Sequence, residues 1–320
     1  MSAVVLAPRG PFSLEAGLRF LRGFTPAAYR GGQDPVLRLA FASDDGRFTV
    51  TAAVRQERTP GDNGAVRAQI TLRPAGLGPR HLPAPPAAGA AEAEKAAESV
   101  ARVLSLDVDG DRFPELASAD PVAAGLMRRF PGLRPVCFNS PYEAAVWAVI
   151  GHRVRKSHAA AVKTLLAQRH GRRVEVAGQE MFAFPSPAAL RAVTSFPGLT
   201  EVKISRLHAV AEAADAGELD AASLRALPAQ DALAALRELP GIGPFSAELI
   251  LIRGAGHPDV FPRHEPRLHA AMTDAYALEA PAGGVPALAD IAERWKPYRS
   301  WIAFLLRVQA DPRIRSTRGR

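Results

Sequence analysis

Leu239–Pro266 reads LPGIGPFSAELILIRGAGHPDVFPRHEP, and the fold turns on how its opening glycines are read. A helix arriving from upstream must end near Leu239, because Pro240 has no N–H to continue it. Gly241 and Gly243 carry no side chain, so another backbone or a ligand can approach closely. Pro244 suits the first turn of a second, strongly apolar helix. The free N–H groups and the positive dipole end of that helix then face out of a glycine-lined turn. Two readings stay open here: a phosphate site, or a plain corner between two packed helices. The stretch closes on a lone acid, Glu265, followed by Pro266. An acid near a positive helix end, with proline at the first helical position, starts a helix. The same acid is a candidate for chemistry.

Working outward, DALAALRELPGIGPFSAELILIRGAG (231–256) predicts a helix, a tight turn and a second helix. From about residue 115 onward the pattern is helical throughout. Ser140, Pro141 and Glu143 predict an N-cap, a first helical position and a capping box. One long helix follows over 143–169, with Gly151 as a bend. Thr200 predicts the cap of another helix that ends near Gly217. ADIAERWKPYRSWIAFLLRV (289–308) closes the helical part, interrupted by Pro297. At helical spacing, Trp147, Tyr298 and Trp301 read as core rather than as stacking platforms.

The first segment is different. PFSLEAGLRFLRGF (11–24) predicts a short helix with Phe12, Leu14, Leu18 and Leu21 as its apolar positions. VLRLAFA (36–42), RFTVTAAV (47–54) and VRAQITLR (66–73) alternate like half-buried strands. DDGR and TPGDNG separate them as turns. LPAPPAAGA (82–90) reads as a linker, and the alanine-rich 91–107 as a helix. The fold class is therefore α+β. A small N-terminal antiparallel sheet with a helix occupies 1–85, a linker and helix 86–114, and a larger all-α domain 115–320.

The 320 residues carry a net charge of +8, and 48% of them are hydrophobic. Five of the 40 basic residues are lysines, so arginine supplies the rest. A basic balance suits an anionic partner such as nucleic acid or a membrane surface. It also suits an arginine- and alanine-rich genome. No run of 18 or more apolar residues is present, which argues against a membrane span. The opening MSAVVLAPRG lacks the features of a signal peptide. Cys137 is the only cysteine. That excludes an internal disulfide and a four-cysteine cluster, and points to the cytoplasm. DVDGDRF (107–113) departs from a calcium loop and reads as a turn after a helix. No histidine pair has metal-ligand spacing, so no catalytic metal is expected. The basic tail DPRIRSTRGR reads as a disordered end.

The extended context of the glycine turn resembles the helix-hairpin-helix of a DNA glycosylase superfamily. The particular likeness is to the bacterial 3-methyladenine DNA glycosylase II family. It is carried by LPGIGPFSAELILIRGAGHPDVFP, RPVCFNSPYEAAVWAVIGHRV (134–154), FAFPSPAAL (182–190), FPGLTEVKISRL (196–207) and AERWKPYRSWIAFLL (292–306), in the family's order. The resemblance implies a base-excision enzyme acting on double-stranded DNA in the bacterial cytoplasm, at the nucleoid, as a monomer. Such an enzyme flips a damaged, alkylated nucleotide into a pocket and cuts the bond between base and sugar.

It also implies roles for particular residues. Amides at Gly241 and Gly243, with Ser246, would hold a backbone phosphate. Carbonyls of Arg237, Leu239 and Gly241 match positions that hold a structural Na+ or K+. Phe245 stands where bifunctional relatives carry a catalytic lysine, which implies a monofunctional enzyme without lyase activity. Glu265 falls at the position of the family's aspartate. A carboxylate there stabilises the positive charge that develops on the sugar as the base leaves, and orients the attacking water. Glutamate keeps the charge but adds a methylene. Asp259 matches the DVF acid and reads as a loop anchor, and His264 as an exposed loop residue. His152 replaces a glutamine. Arg153 stands at the wedge position, where it either fills the gap left by a flipped base or touches phosphate. In the pocket, Phe245 keeps an aromatic ring, while Leu249 and Arg307 replace two others. Arg307 would repel a cationic base unless Glu248 or Glu265 neutralises it. Two rival readings accompany this one: a glycosylase-like protein that binds damaged or bent DNA without cutting, and a glycosylase for a different base.

Overall fold

A computed structural model describes residues 2–24, 34–57, 64–75, 88–278 and 284–311. All but the last residue of the TPGDNG turn, all but the last three residues of the LPAPPAAGA linker, and the basic tail beyond Asp311 lie outside the described residues. Strand β1 (Ser2–Leu6) is followed by α1 (Leu14–Gly23), β2 (Leu37–Ala42), β3 (Phe48–Gln56) and β4 (Val66–Pro74). Ser13 caps α1 by accepting from the Ala16 amide. The four strands form one antiparallel sheet in the order β1-β4-β3-β2. The SAVVL stretch that pairs with β4 carries no strand expectation from sequence; its register runs from Ser2 opposite Ile70 to Leu6 opposite Val66.

Helix α2 (Ala90–Val103) packs with α1 on one face of this sheet, around Leu18, Leu21, Leu37, Val54 and Val100. Strands β2 and β3 were expected to be half-buried, yet both are buried almost throughout. Their second face is covered as well, by a hairpin from the helical part.

That hairpin is the main departure from a purely helical 115–320. After α3 (Leu116–Ala119), α4 (Pro121–Arg129), α5 (Pro141–Gly151) and α6 (Lys156–His170) come two strands. They are β5 (Arg172–Val176) and β6 (Gln179–Ala183), joined through Ala177 and Gly178, both at positive φ. A two-residue turn of that hand matches the natural twist of a hairpin. Val174, Val176 and Ala183 pack against Val36, Ala40 and Ala53 of the sheet region. Arg38 in β2 donates to the carbonyls of Val176 and Ala177, both at 3.2 Å.

The expected long helix over 143–169 is in fact two, α5 and α6, with a four-residue turn between them. Ser140 caps α5 by accepting the Glu143 amide at 3.1 Å, as expected. Glu143 does not complete a capping box. Its buried carboxylate takes Lys163 Nζ at 2.9 Å and the Asn139 amide group at 3.0 Å.

Helices α7 (Pro187–Arg191), α8 (Glu201–Asp215), α9 (Ala221–Ala226), α10 (Ala229–Arg237) and α11 (Pro244–Leu249) follow. Thr200 caps α8, as its sequence signal predicts. α11 continues as a wider π-helical turn through Gly254. These elements share one core, with the apolar α5 at its centre. A second core gathers α4, α12 (Pro266–Ala275), α13 (Gly284–Ala292) and α14 (Arg299–Gln309) around Trp295 and Trp301, both at most 2% exposed. Trp147 and Tyr298 are buried too, in keeping with a packing role. Among the described residues, no helix is long and apolar enough to cross a membrane.

Candidate functional site

The 255–265 loop runs from the first core to the second, and a cleft opens between them. It is lined from the first core by Phe245, Glu248, Leu249, Ile252 and Arg253. From the second core come Leu268, Ser300, Ala303, Phe304 and Arg307, with Pro262 and Glu265 from the loop end. Clefts between packed units are where small ligands most often bind. Five residues singled out in the sequence, Phe245, Glu248, Leu249, Glu265 and Arg307, are thus brought to one place.

Glu265 is the residue that starts α12, with Pro266 in the first helical position. Its side chain does not cap that helix. The carboxylate instead reaches across the cleft to Arg307, with Oε1 3.5 Å from Nε. Both side chains are roughly a quarter exposed, at 22% and 28%. Burial lowers the pKa of Arg307, and the charge of Glu265 opposes that drop. The charge of this arginine is therefore met by an acid in the same cleft.

The hairpin ends in two glycines with different reasons to be there. Gly241 has φ +88, and a Cβ there would lie 2.6 Å from Cδ of Arg206. That backbone conformation is one that glycine adopts at no cost and that a side chain would strain. Gly243, the residue before α11, has φ −90 and open space where a Cβ would stand. Nothing within the chain demands glycine there. Both are exposed, and Ser246 is half-buried in the first turn of α11. The Leu239 carbonyl accepts the Ile242 amide at 3.0 Å and so closes the turn that carries the Arg237, Leu239 and Gly241 carbonyls.

No protein-family model matches the chain. Over 209 residues, 63% of its length, it is 27% identical to a protein named DNA-3-methyladenine glycosylase from Bacillus subtilis (strain 168), and the match spans 68% of that relative. Over 180 residues it is 31% identical to DNA-3-methyladenine glycosylase 2 of Escherichia coli (strain K12), spanning 53% of this chain and 58% of that one. The fold is similar to that of 3-methyladenine DNA glycosylase from Archaeoglobus fulgidus. That likeness has a TM-score of 0.72 over 97% of this chain and 98% of the other, at 20% identity. The sequence is thus similar to proteins named DNA-3-methyladenine glycosylase over roughly half to two thirds of this chain, and the fold is shared along almost all of it.

In this cleft, Glu248 has work that its sequence position did not disclose. It was one of two acids considered for neutralising Arg307, and Glu265 is the one that does so. The Glu248 carboxylate, 4% exposed, accepts the amides of Arg263 at 2.9 Å and His264 at 3.0 Å. Nδ1 of His264 lies 2.8 Å from its Oε1. An acid on the hairpin helix therefore fixes the two residues that precede Glu265. Removing a buried charge with several donors costs about 3 kcal/mol. Glu248→Ala is expected to lose about that much in urea unfolding, and to loosen the loop end that carries Glu265. Unchanged stability would show that the loop holds itself.

Asp259 anchors the same loop. Its carboxylate pairs with Arg299 at 2.7 and 3.0 Å, and accepts the Arg299 amide at 3.3 Å. Two further cleft residues escaped the sequence reading. Phe304 lies three residues before Arg307 on α14, a spacing that puts both on one helix face. Arg253 lies over the rings of Phe24, Phe304 and Phe20, at 4.9, 5.0 and 5.4 Å. Burial pulls its pKa down to about 10.

His152 and Arg153 do not line the cleft. They are exposed in the turn between α5 and α6, where Arg153 adopts φ +56. The pKa of His152 is lowered by burial and then by the charges of Arg153, Arg206 and Lys203.

Proposed function

We propose that this chain is a monofunctional DNA glycosylase of base-excision repair, which flips an alkylated base from double-stranded DNA and releases it by hydrolysis. The observation that carries the reading is the cleft in which Glu265 stands opposite Phe245, at the mouth of the glycine hairpin. The relatives named for 3-methyladenine release support the substrate class.

In this account Gly241, Gly243 and Ser246 hold a backbone phosphate. Gly243 is the telling position, because only an outside body needs its side chain to be absent. The carbonyls of Arg237, Leu239 and Gly241 take a structural Na+ or K+ on the same turn. His152 and Arg153 enter the duplex from the α5–α6 turn. The extruded base lies against Phe245 and Leu249. As the bond between C1′ and the base nitrogen breaks, both electrons leave with the base, and the sugar gains positive charge. The Glu265 carboxylate stabilises that charge and orients the water that attacks C1′. The proton of that water passes to the carboxylate or to solvent. Phe245 offers no amine, so no Schiff base forms and the strand stays intact. Arg307, already paired with Glu265, leaves the cleft near neutral for a cationic purine. The protein acts as a monomer in the bacterial cytoplasm, at the nucleoid.

The test is release of free base from methylated duplex DNA by the purified chain. Phosphate contacts make a second expectation. With about six of them, affinity for any duplex should fall by roughly a thousandfold between about 50 and about 200 mM salt. Fluorescence anisotropy at four salt concentrations measures this. A flat dependence would remove the hairpin from the DNA interface.

A further inference from the structure

The turn between α5 and α6 has a holder. α5 ends at Gly151, and the carbonyls of its last turn have no partner within the helix. The Nζ of Lys203, on the first turn of α8, donates to the Ile150 carbonyl at 2.7 Å and the His152 carbonyl at 3.1 Å. Those two bonds bracket Gly151 and fix where the chain leaves the helix. The next residue, Arg153, sits at φ +56, a conformation that arginine rarely adopts and that its surroundings must impose. The remaining backbone bonds of the turn are long: the His152 amide to the Val149 carbonyl and the Val154 amide to the Gly151 carbonyl are both 3.4 Å. Lys203 ties the last turn of α5 and the first residue of the turn to α8, with bonds shorter than either of these.

One turn further along α8, Arg206 lies against Gly241 of the hairpin. A single helix thus reaches both the hairpin turn and the turn that carries His152 and Arg153. The latter turn holds Arg153, Arg155 and Lys156 in the open, with Lys203 and Arg206 beside it. An ammonium among so many cations, half-buried and spent on two carbonyls, is not placed chiefly to attract phosphate.

We propose that Lys203 is a positioning residue for base extrusion: it clamps the end of α5 so that Arg153 is presented to the DNA in one fixed conformation. The inference rests on the glycosylase reading above and extends it to a residue that touches neither base nor sugar.

Two variants test it. Lys203→Met keeps the stem and removes the donors; Lys203→Arg keeps donors. Three readouts are compared with the wild type. The first is hydrogen exchange at the amides of residues 152–154 without DNA. The second is the fluorescence rise of 2-aminopurine placed beside 7-methylguanine in a duplex, which reports extrusion without requiring bond cleavage. The third is affinity for undamaged duplex. In Lys203→Met, exchange at those amides should accelerate and the extrusion signal should form about ten- to a hundredfold more slowly, the scale of a roughly 1 Å misplacement. Affinity for undamaged duplex should change by less than about twofold, because phosphate contacts are kept. Lys203→Arg should restore most of the extrusion rate.

An equal loss of extrusion and undamaged-duplex affinity would make Lys203 a phosphate contact and overturn the proposal. Faster exchange with normal extrusion would overturn it too, as would no extrusion by the wild type. Base release by the wild type is scored separately: its failure removes the glycosylase reading, while the variant-to-wild-type extrusion ratio still decides the role of Lys203.

Discussion

Glu265→Gln is expected to slow base release from methylated duplex DNA by about a thousandfold while leaving DNA affinity near the wild-type value. A carboxylate about 4 Å from a developing unit charge contributes about 4 kcal/mol at an effective dielectric of about 20, which is about three powers of ten in rate. The amide keeps the shape and loses the charge. Arg307, 3.5 Å from Glu265, already spends part of that charge, which sets the thousandfold as an upper figure. Glu265→Asp keeps the charge on a shorter stem and should retain more activity than the amide. Single-turnover release with excess enzyme measures both. If Glu265→Gln releases base at the wild-type rate, Glu265 is a helix-start residue and the chemistry lies elsewhere. If wild type and variant both bind lesion DNA and neither turns it over, the chain is a binder.

Gly241→Asp is expected to abolish duplex binding of every sequence alike. Two physical effects act together. The φ of +88 disfavours any side chain, and the new Cβ would meet Cδ of Arg206 at 2.6 Å. The added carboxylate would also face the phosphate that the turn is proposed to hold. Gly243→Ala separates the two effects, because that position has ordinary φ and open space. It should melt like the wild type, yet bind undamaged and damaged duplex more weakly by the same factor, since phosphate contacts carry no sequence information. Anisotropy titrations beside thermal melts measure this. Normal binding by Gly243→Ala would leave the hairpin as a corner between helices.

The hairpin was legible because proline and glycine punctuate it within five residues, and such residues restrict backbone geometry locally. Ser140 and Thr200 were legible as caps for the same reason. The β5–β6 hairpin was not. Its strands RRVEV and QEMFA are short, half polar and follow almost directly on α6, and they become strands by packing on β2 and β3, which are more than 100 residues away in sequence. The same packing explains why β2 and β3 are buried on both faces, although their sequences promised one. The turn at Gly151 showed only as a bend, because HRVRK contains no residue that obliges a helix to stop. The side chain that bonds the carbonyls at this break, Lys203, lies 51 residues on from His152.

In the cleft, Glu265 was singled out from its place after DVFP and before Pro266, and the structure puts it in the lining. The pairing of Glu265 with Arg307 was anticipated only as one of two options, since Glu248 is also an acid distant from Arg307 in sequence and nothing local separates the two. The structure separates them by burial. Glu248 is enclosed and meets backbone amides, whereas Glu265 lies at the rim beside the guanidinium. Roles that depend on contacts between distant segments, such as those of Glu248, Arg253 and Lys203, have no local signature to read.

The most direct test of the account is a single reaction of wild-type protein with methylated duplex DNA, analysed for free base and for strand integrity before and after alkali. The account predicts free alkylated purine and a strand that breaks only after alkali, the mark of hydrolysis without lyase chemistry. Absence of free base, or a strand already cut before alkali, would contradict it.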